Sequence, residues 1–228
     1  ILEKSHNLGT ILVSERLENE DFYNSWNKLG FGKSLGLMPS VENPGQLRHY
    51  SKWGLSDKRS LSFGHGPMTT NLAQLARAYL IFANDGALPS LKLIKNTYDD
   101  QMQQVFTPES TQRIAEILDS VVSMKGSGYR AVIDGYEVAG KTGTAEMVID
   151  GKYSKDGAKR TYFVGFSPVI NPKYIMAVRL DYPKKCFVSW DPTLRNRCEG
   201  SNSAAMAFKK AMERILINDP EIQSKLES

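Results

Sequence analysis

Residues 135–146 read GYEVAGKTGTAE, and two local structures compete for them. From Gly135 to Thr142 the spacing is G-x-x-x-x-G-K-[ST], that of a loop whose backbone N–H groups wrap phosphates and whose Lys-Thr opens a helix. The residues that follow argue against it. Thr142, Gly143 and Thr144 are poor helix formers, and Asp150-Gly151 ends the element about nine residues after Lys141. Glu137 would carry a carboxylate toward polyphosphate, while Tyr136 and Val138 alternate as in a strand. Asp181, at the end of YIMAVRLD, is the one feature suited to a magnesium-assisted phosphate site. Arg179 interrupts that segment, and a hairpin with the strand before it explains its apolar content. GYEVAGKTGTAE is therefore read as a strand.

The fold is read outward from that choice. RTYFVGFSP (160–168) and YIMAVRLDY (174–182) are rich in β-branched and aromatic residues. Asp150-Gly151, Asp156-Gly157 and Asn171-Pro172 punctuate them, so three consecutive antiparallel strands are expected. A last helix, about Ser203 to Ile217, would turn Ala204, Met206, Ala207, Phe208, Ala211, Met212 and Ile215 toward the sheet. Upstream, residues 1–18 read as helical through Leu8, Ile11, Leu12 and Val13, and a second helix runs from Glu20 to Leu29 until Gly30-Phe31-Gly32 stops it. In NLAQLARAYLIFANDG (71–86) the apolar stripe is Leu72, Leu75, Ala76, Tyr79, Phe82 and Ala83. Thr107-Pro108-Glu109 opens a further helix with Ile114, Ile117, Leu118, Val121 and Val122 on its apolar face, ending near Gly126. Leu35 to Ser60 lacks periodicity and reads as a long irregular segment, a length usually tied to function or pinned by its own side chains. The class is α/β (α+β): an antiparallel sheet covered by helices.

With 228 residues and 41% hydrophobic content, a globular chain is expected. The net charge of +4 is spread along the chain without a run of five like charges, so nucleic acid is not an expected partner. LAQLARAYLIFA is broken by Gln74 and Arg77 and is too short to cross a bilayer. The sequence opens ILEKSHNLG, with no basic leader or cleavage site, and is expected to be part of a longer polypeptide whose address or anchor lies upstream. Cys186 and Cys198 cannot complete a four-ligand zinc site, which leaves free buried thiols or a disulfide. In an oxidising compartment the bridge is favoured, and closing so short a loop adds about 3 kcal/mol in the chain-entropy account.

Lys141-Thr142-Gly143 also matches a K-T-G triad, which chance places in roughly one chain in twenty of this length. It therefore needs companions. Ser5-His6-Asn7 supplies an S-x-N in the expected order. Together with Thr144 and SFGHGPMTTNLAQLARAYLIFANDG (62–86), these motifs resemble the C-terminal two-thirds of the transpeptidase domain of class B penicillin-binding proteins, and Ser62-Phe63-Gly64-His65-Gly66 resembles the cell-division branch. The resemblance covers nearly the whole chain, 1–228, as part of one transpeptidase domain that is incomplete at its N-terminus.

The resemblance implies a peptidoglycan D,D-transpeptidase. A serine of an S-x-x-K motif attacks the penultimate D-Ala carbonyl of a stem peptide, releases the terminal D-Ala and passes the acyl group to an amine on a neighbouring stem. Ser5 would relay a proton, Asn7 would hold the acyl amide, and Lys141 would supply positive potential and support the relay. Thr142 and Thr144 would offer hydroxyls to the substrate carboxylate, Gly143 would allow close approach, and the Thr144 N–H would form half of an oxyanion hole. The stem peptide would add as a strand. β-Lactams would acylate the same serine. No metal or organic cofactor is implied; division proteins of the membrane are the implied partners, at the periplasmic face of the inner membrane.

The family's S-x-x-K should stand before S-x-N. Ser25-Trp26-Asn27-Lys28 stands after it, within a stripe of Phe22, Trp26 and Leu29 that explains a helix by itself. The nucleophile is therefore expected upstream, and this stretch alone is expected to be inactive. Rival readings are a D,D-carboxypeptidase or β-lactam hydrolase, in which water takes the acyl group, and a silent scaffold or ligand sensor. His6 and His49 carry no triad pattern, and His65 is read as packing. Tyr162 and Trp190 are read as core residues that could line a cleft. After Pro183, where relatives have an aromatic-Gly-Gly turn, KKCFVSWDPTLRNRCEGSN departs from the family, as a stapled rim or a surface insert.

Overall fold

The computed structural model describes all residues except 39, 95–100, 155–157, 185, 187–197 and 227–228. The Asp156-Gly157 turn signal and Trp190 lie outside the described residues. Contacts divide the chain into two units, 1–115 and 116–228.

The first unit begins with a turn. Ser5 takes the left-handed φ of 53°, which a helix cannot include, so the helix expected over residues 1–18 is confined to α1 (Asn7–Ser14). His6 caps it, its Nδ1 accepting the Gly9 N–H at 3.1 Å. Leu8 and Leu12, expected on a packed stripe, are 60% and 58% exposed. Helix α2 (Asn19–Lys28) follows as expected, and Gly30 (φ 89°) and Gly32 (φ 75°) make its exit. Strands β1 (Gln46–Leu47) and β2 (Met68–Thr69) pair antiparallel.

The segment read as irregular to Ser60 contains helix α3 (Leu55–Ser62), capped at Gly54. Of its two leucines only Leu61 is buried. Charge holds the rest: Arg59 pairs with Glu15 at 2.8 Å, and Lys58 donates to the Leu17 carbonyl.

Helix α4 (Leu72–Tyr79) is closed by a capping box between Asn71 and Gln74. Its buried face is Gln74 and Ala78, continuing to Ile81, and Leu72 is exposed. The expected stripe is thus rotated. Gln74 can sit inside because its amide is saturated: Nε2 donates to the carbonyls of Lys33 and Pro44 at 2.8 Å each, and Oε1 accepts from Thr70 Oγ1 at 2.8 Å and the Asn71 N–H at 3.1 Å. One side chain therefore pins the loop that follows α2. Strands β3 (Ala87–Pro89) and β4 (Met102–Gln104) pair antiparallel.

Helix α5 (Pro108–Val122) starts at its proline as expected. Thr111, Ala115, Leu118, Val121 and Val122 are buried, whereas Ile114 and Ile117 are 39% and 40% exposed, so two of the five expected face residues are displaced.

In the second unit the three expected strands are β5 (Ala139–Glu146), then, after a small hairpin of β6 (Val148–Ile149) and β7 (Lys152–Tyr153), β8 (Lys159–Ser167) and β9 (Tyr174–Asp181). The sheet order is β5-β8-β9, all antiparallel, with β5 at an edge. Helix α6 (Ala204–Ile217) covers one face with Ala204, Ala205, Phe208, Met212 and Leu216. The expected Ala211 is exposed and Leu216 is the buried end of the stripe. Phe208 meets Phe163 with ring centroids 4.6 Å apart.

Helix α7 (Pro220–Leu226), not foreseen, is tied down by the buried Asp219. Its carboxylate accepts from Lys173 Nζ at 2.7 Å, Tyr174 Oη at 2.5 Å and the Glu221 N–H at 2.9 Å. Lys173 first, then Tyr174, holds this carboxyl well below the ordinary range. A depressed folded pKa contributes stability that is complete above the unfolded value, about 3.9, and is lost as pH falls below it. Asp219→Asn is expected to lower the melting temperature at neutral pH and to flatten its fall below about pH 4, as followed by thermal melts across pH.

Candidate active site

The fate of the two glycines in G-x-x-x-x-G-K-T decides the first ambiguity. Gly135 is a turn residue with φ 83°. Gly140 lies in β5, where a Cβ would come 2.7 Å from the Phe163 ring and 2.7 Å from the Val164 carbonyl. Glycine is required there by an aromatic ring in the core, with no part in a phosphate cradle. The chain after Lys141 stays in strand to Glu146. Asp181 is likewise claimed by structure: Arg160 pairs with it at 2.9 Å and Arg179 at 2.5 Å, and these guanidiniums, Arg179 foremost, hold its pKa near about 2. Among the described residues no His, Cys, Asp and Glu cluster could hold a metal ion, and no helix is long and apolar enough to cross a membrane.

Lys141, Thr142, Gly143 and Thr144 stand opposite Val164, Phe163, Tyr162 and Thr161 of β8. Lys141 and Gly143 therefore share one face, and Thr142 and Thr144 the other. All four are half-buried. Lys141 Nζ donates to the Thr142 carbonyl at 3.2 Å, and burial lowers its pKa from 10.5 to about 8. An ammonium poised so close to neutrality can present charge and exchange a proton at the same position.

Cys186 and Cys198 form a disulfide, with Cα atoms 5.3 Å apart. The residues after it reach the motif strand, as Gly200 donates its N–H to Thr144 Oγ1 at 2.9 Å. Thr161, fully buried, shares a hydrogen bond of 2.9 Å with Ser203. Tyr162, expected to be core or cleft, is half-buried opposite Gly143. Gly200, Thr161 and Ser203 belong to no motif. Their one sequence signal is the glycine of Cys-Glu-Gly after the second cysteine.

Ser5 and Asn7 belong to the first unit and the K-T-G residues and cysteines to the second. Ser5 is exposed in its left-handed turn and Asn7 is the first residue of α1. A non-glycine residue held at positive φ is the kind of local strain that marks functional positions. Ser25, of the misplaced S-x-x-K, donates Oγ to the Asp21 carbonyl at 2.9 Å, and the neighbouring Trp26 packs edge-on against Phe22 at 5.1 Å. That is a structural helix. His65 stacks beside Phe63 at 5.2 Å.

Comparison with known proteins agrees with this reading of the strand. The penicillin binding protein transpeptidase domain family matches residues 1–213. The probable peptidoglycan D,D-transpeptidase PenA of Neisseria gonorrhoeae is 34% identical over 183 residues, covering 80% of this chain and 31% of PenA. The peptidoglycan D,D-transpeptidase FtsI of Buchnera aphidicola (subspecies Baizongia pistaciae) is 34% identical over 223 residues, covering 95% of this chain and 36% of FtsI. The chain thus spans about a third of the length of these curated relatives. Among solved structures, the apo transpeptidase domain of Burkholderia pseudomallei penicillin-binding protein 3 superposes with a TM-score of 0.83 at 28% identity, over 96% of this chain and 63% of that one. Penicillin-binding protein 3 of Mycobacterium tuberculosis, complexed with aztreonam, gives 0.80 at 27% identity, over 95% and 50%. With the serine β-lactamase-like α/β fold, the K-T-G strand and this similarity together, the chain belongs to the penicillin-binding protein transpeptidase domain family.

Proposed function

We propose that residues 1–228 are the C-terminal part of a transpeptidase domain in a longer protein that cross-links peptidoglycan stem peptides at the division septum. The observation that carries this reading is Lys141, half-buried on an edge strand with its pKa lowered to about 8. On this reading the attacking serine precedes Ser5 in the longer protein. Its oxygen bonds to the penultimate D-Ala carbonyl carbon, the C–N bond to the terminal D-Ala breaks, and that nitrogen takes a proton as it leaves. An amine of a second stem then attacks the ester, restoring the serine and forming the cross-link. Ser5 passes the proton between serine and nitrogen, and Asn7 holds the acyl amide. The Thr144 N–H donates to the developing oxyanion.

On this reading the substrate strand adds along the free edge of β5, Thr142 and Thr144 offer hydroxyls to its carboxylate, and Gly143 allows its approach. β-Lactams occupy the same slot. The parent protein works at the periplasmic face of the inner membrane, held by a segment outside this chain, and meets membrane proteins of the division machinery. The oxidised Cys186–Cys198 pair suits that compartment.

Fluorescent penicillin offered to the folded full-length protein tests the reading. A covalent label, blocked by unlabelled penicillin and retained by Ser25→Ala, is the expected result. Folded protein that takes no label would overturn the acyl-enzyme mechanism.

A further inference from the structure

The turn from Cys198 to Ser203 joins the disulfide to α6 and rests on the end of the K-T-G motif. Gly200 donates its N–H to Thr144 Oγ1 at 2.9 Å. A Cβ on Gly200 would lie 2.6 Å from the Gly143 carbonyl oxygen, 2.9 Å from that of Tyr162 and 3.0 Å from the Gly143 nitrogen. Only glycine lets the turn seat against this peptide. The turn is itself secured on several sides. Cys198 is buried and bridged to Cys186. The Glu199 N–H donates to Asn202 Oδ1 at 2.6 Å, and the Ala205 N–H to the Gly200 carbonyl at 2.8 Å. Ser203 binds the hydroxyl of Thr161, the cross-strand partner of Thr144.

A threonine hydroxyl has one hydrogen and two lone pairs. With the Gly200 N–H on one lone pair, the oxygen is an occupied acceptor and its hydrogen is directed elsewhere, as a donor. We propose that Gly200 is a positioning residue of the acyl-transfer site: its N–H sets the Thr144 hydroxyl as a donor to the carboxylate of the incoming ligand, and its bare Cα seats the Gly143–Thr144 peptide. The disulfide anchors the turn from which it acts. The inference rests on the reading of β5 as the substrate strand.

Two measurements on the full-length oxidised protein separate the inference from that reading. Amide hydrogen exchange follows the Gly200 N–H without any reaction. Thr144→Val, which keeps the shape and removes the acceptor, speeds exchange at Gly200, and Thr144→Ser restores slow exchange. Penicillin acylation then reads the consequence. Gly200→Ala slows acylation by about tenfold or more, the scale of one charge-assisted hydrogen bond. In the Thr144→Val background the same change costs less, because the two act through one contact. Penicillin methyl ester, which lacks the free carboxylate, is slowed less by Gly200→Ala than penicillin is, because it loses only the seating of the Gly143–Thr144 peptide.

Unchanged exchange at Gly200 in Thr144→Val overturns the proposal, and so does wild-type acylation by Gly200→Ala or an equal loss with the ester. Wild-type protein that takes no label overturns the acyl-transfer reading instead.

Discussion

Full-length protein carrying Lys141→Ala is expected to acylate with fluorescent penicillin about 10²–10³-fold more slowly than wild type, the scale of losing one preorganised charge at a reacting centre. The loss should be chemical rather than structural. Burial depresses the pKa of Lys141, so the folded state disfavours its charge and the fold does not depend on it. The pH dependence provides an internal check. Wild-type acylation falls as pH rises through about 8, where the ammonium is lost. Stability moves the other way between about 8 and 10.5, because there the unfolded lysine holds a proton that the folded one has released. Lys141→Arg removes the limb near pH 8, since a guanidinium stays charged throughout. Stopped-flow labelling and thermal melts across pH measure the two trends. Parallel trends, or a Lys141→Ala protein that labels at the wild-type rate, would remove Lys141 from the mechanism.

Gln74→Leu is expected to cost the first unit about 3–5 kcal/mol, at roughly 1–3 kcal/mol for each buried polar group stripped of its partner. The Lys33 and Pro44 carbonyls lose their donor and the Asn71 N–H loses its acceptor. Leucine fills most of the volume, so the deficit is one of hydrogen bonds rather than of space. Against a typical stability of about 5–15 kcal/mol, this is a large share of the margin. Denaturant melts would read the loss, and hydrogen exchange would place it in residues 30–45. A loss below about 1 kcal/mol would mean that other groups replace the amide.

The same glutamine explains where sequence reading reached its limit. A periodicity argument assigns polar residues to the outside, so it reads α4 by its leucines and rotates the buried face away from Gln74, Ala78 and Ile81. Burial followed hydrogen bonding there. On α6 ten of the fourteen positions are apolar, so the stripe is wide enough to be read one residue early, ending at Ile215 instead of Leu216. Helix α3 has one apolar anchor, and its other ties include Arg48 to Asp57 and, more than forty residues away, Glu15 and Leu17. Strands β5, β8 and β9 were legible because β-branched and aromatic runs with clear turn signals specify their antiparallel order, whereas the two- and three-residue strands β1–β4, β6 and β7 are too short to carry such a pattern. Lys141-Thr142-Gly143 stood out as a candidate because the motif pairs a fixed order of residue types with a strand, and the strand is there. Gly200 did not, since its partner Thr144 stands 56 residues earlier in the chain.

The disulfide ties the chain beyond β9 to the start of the turn into α6 by a covalent bond. The Cα atoms of Cys186 and Cys198 stand 5.3 Å apart, a separation set by the bridge instead of by the intervening sequence. Chain closure costs only about 0.6 kcal/mol for each doubling of length. Lengthening the chain between the half-cystines therefore adds little closure cost. In engineering terms the bridge is a covalent staple at the entrance to the turn that reaches the strand holding Lys141.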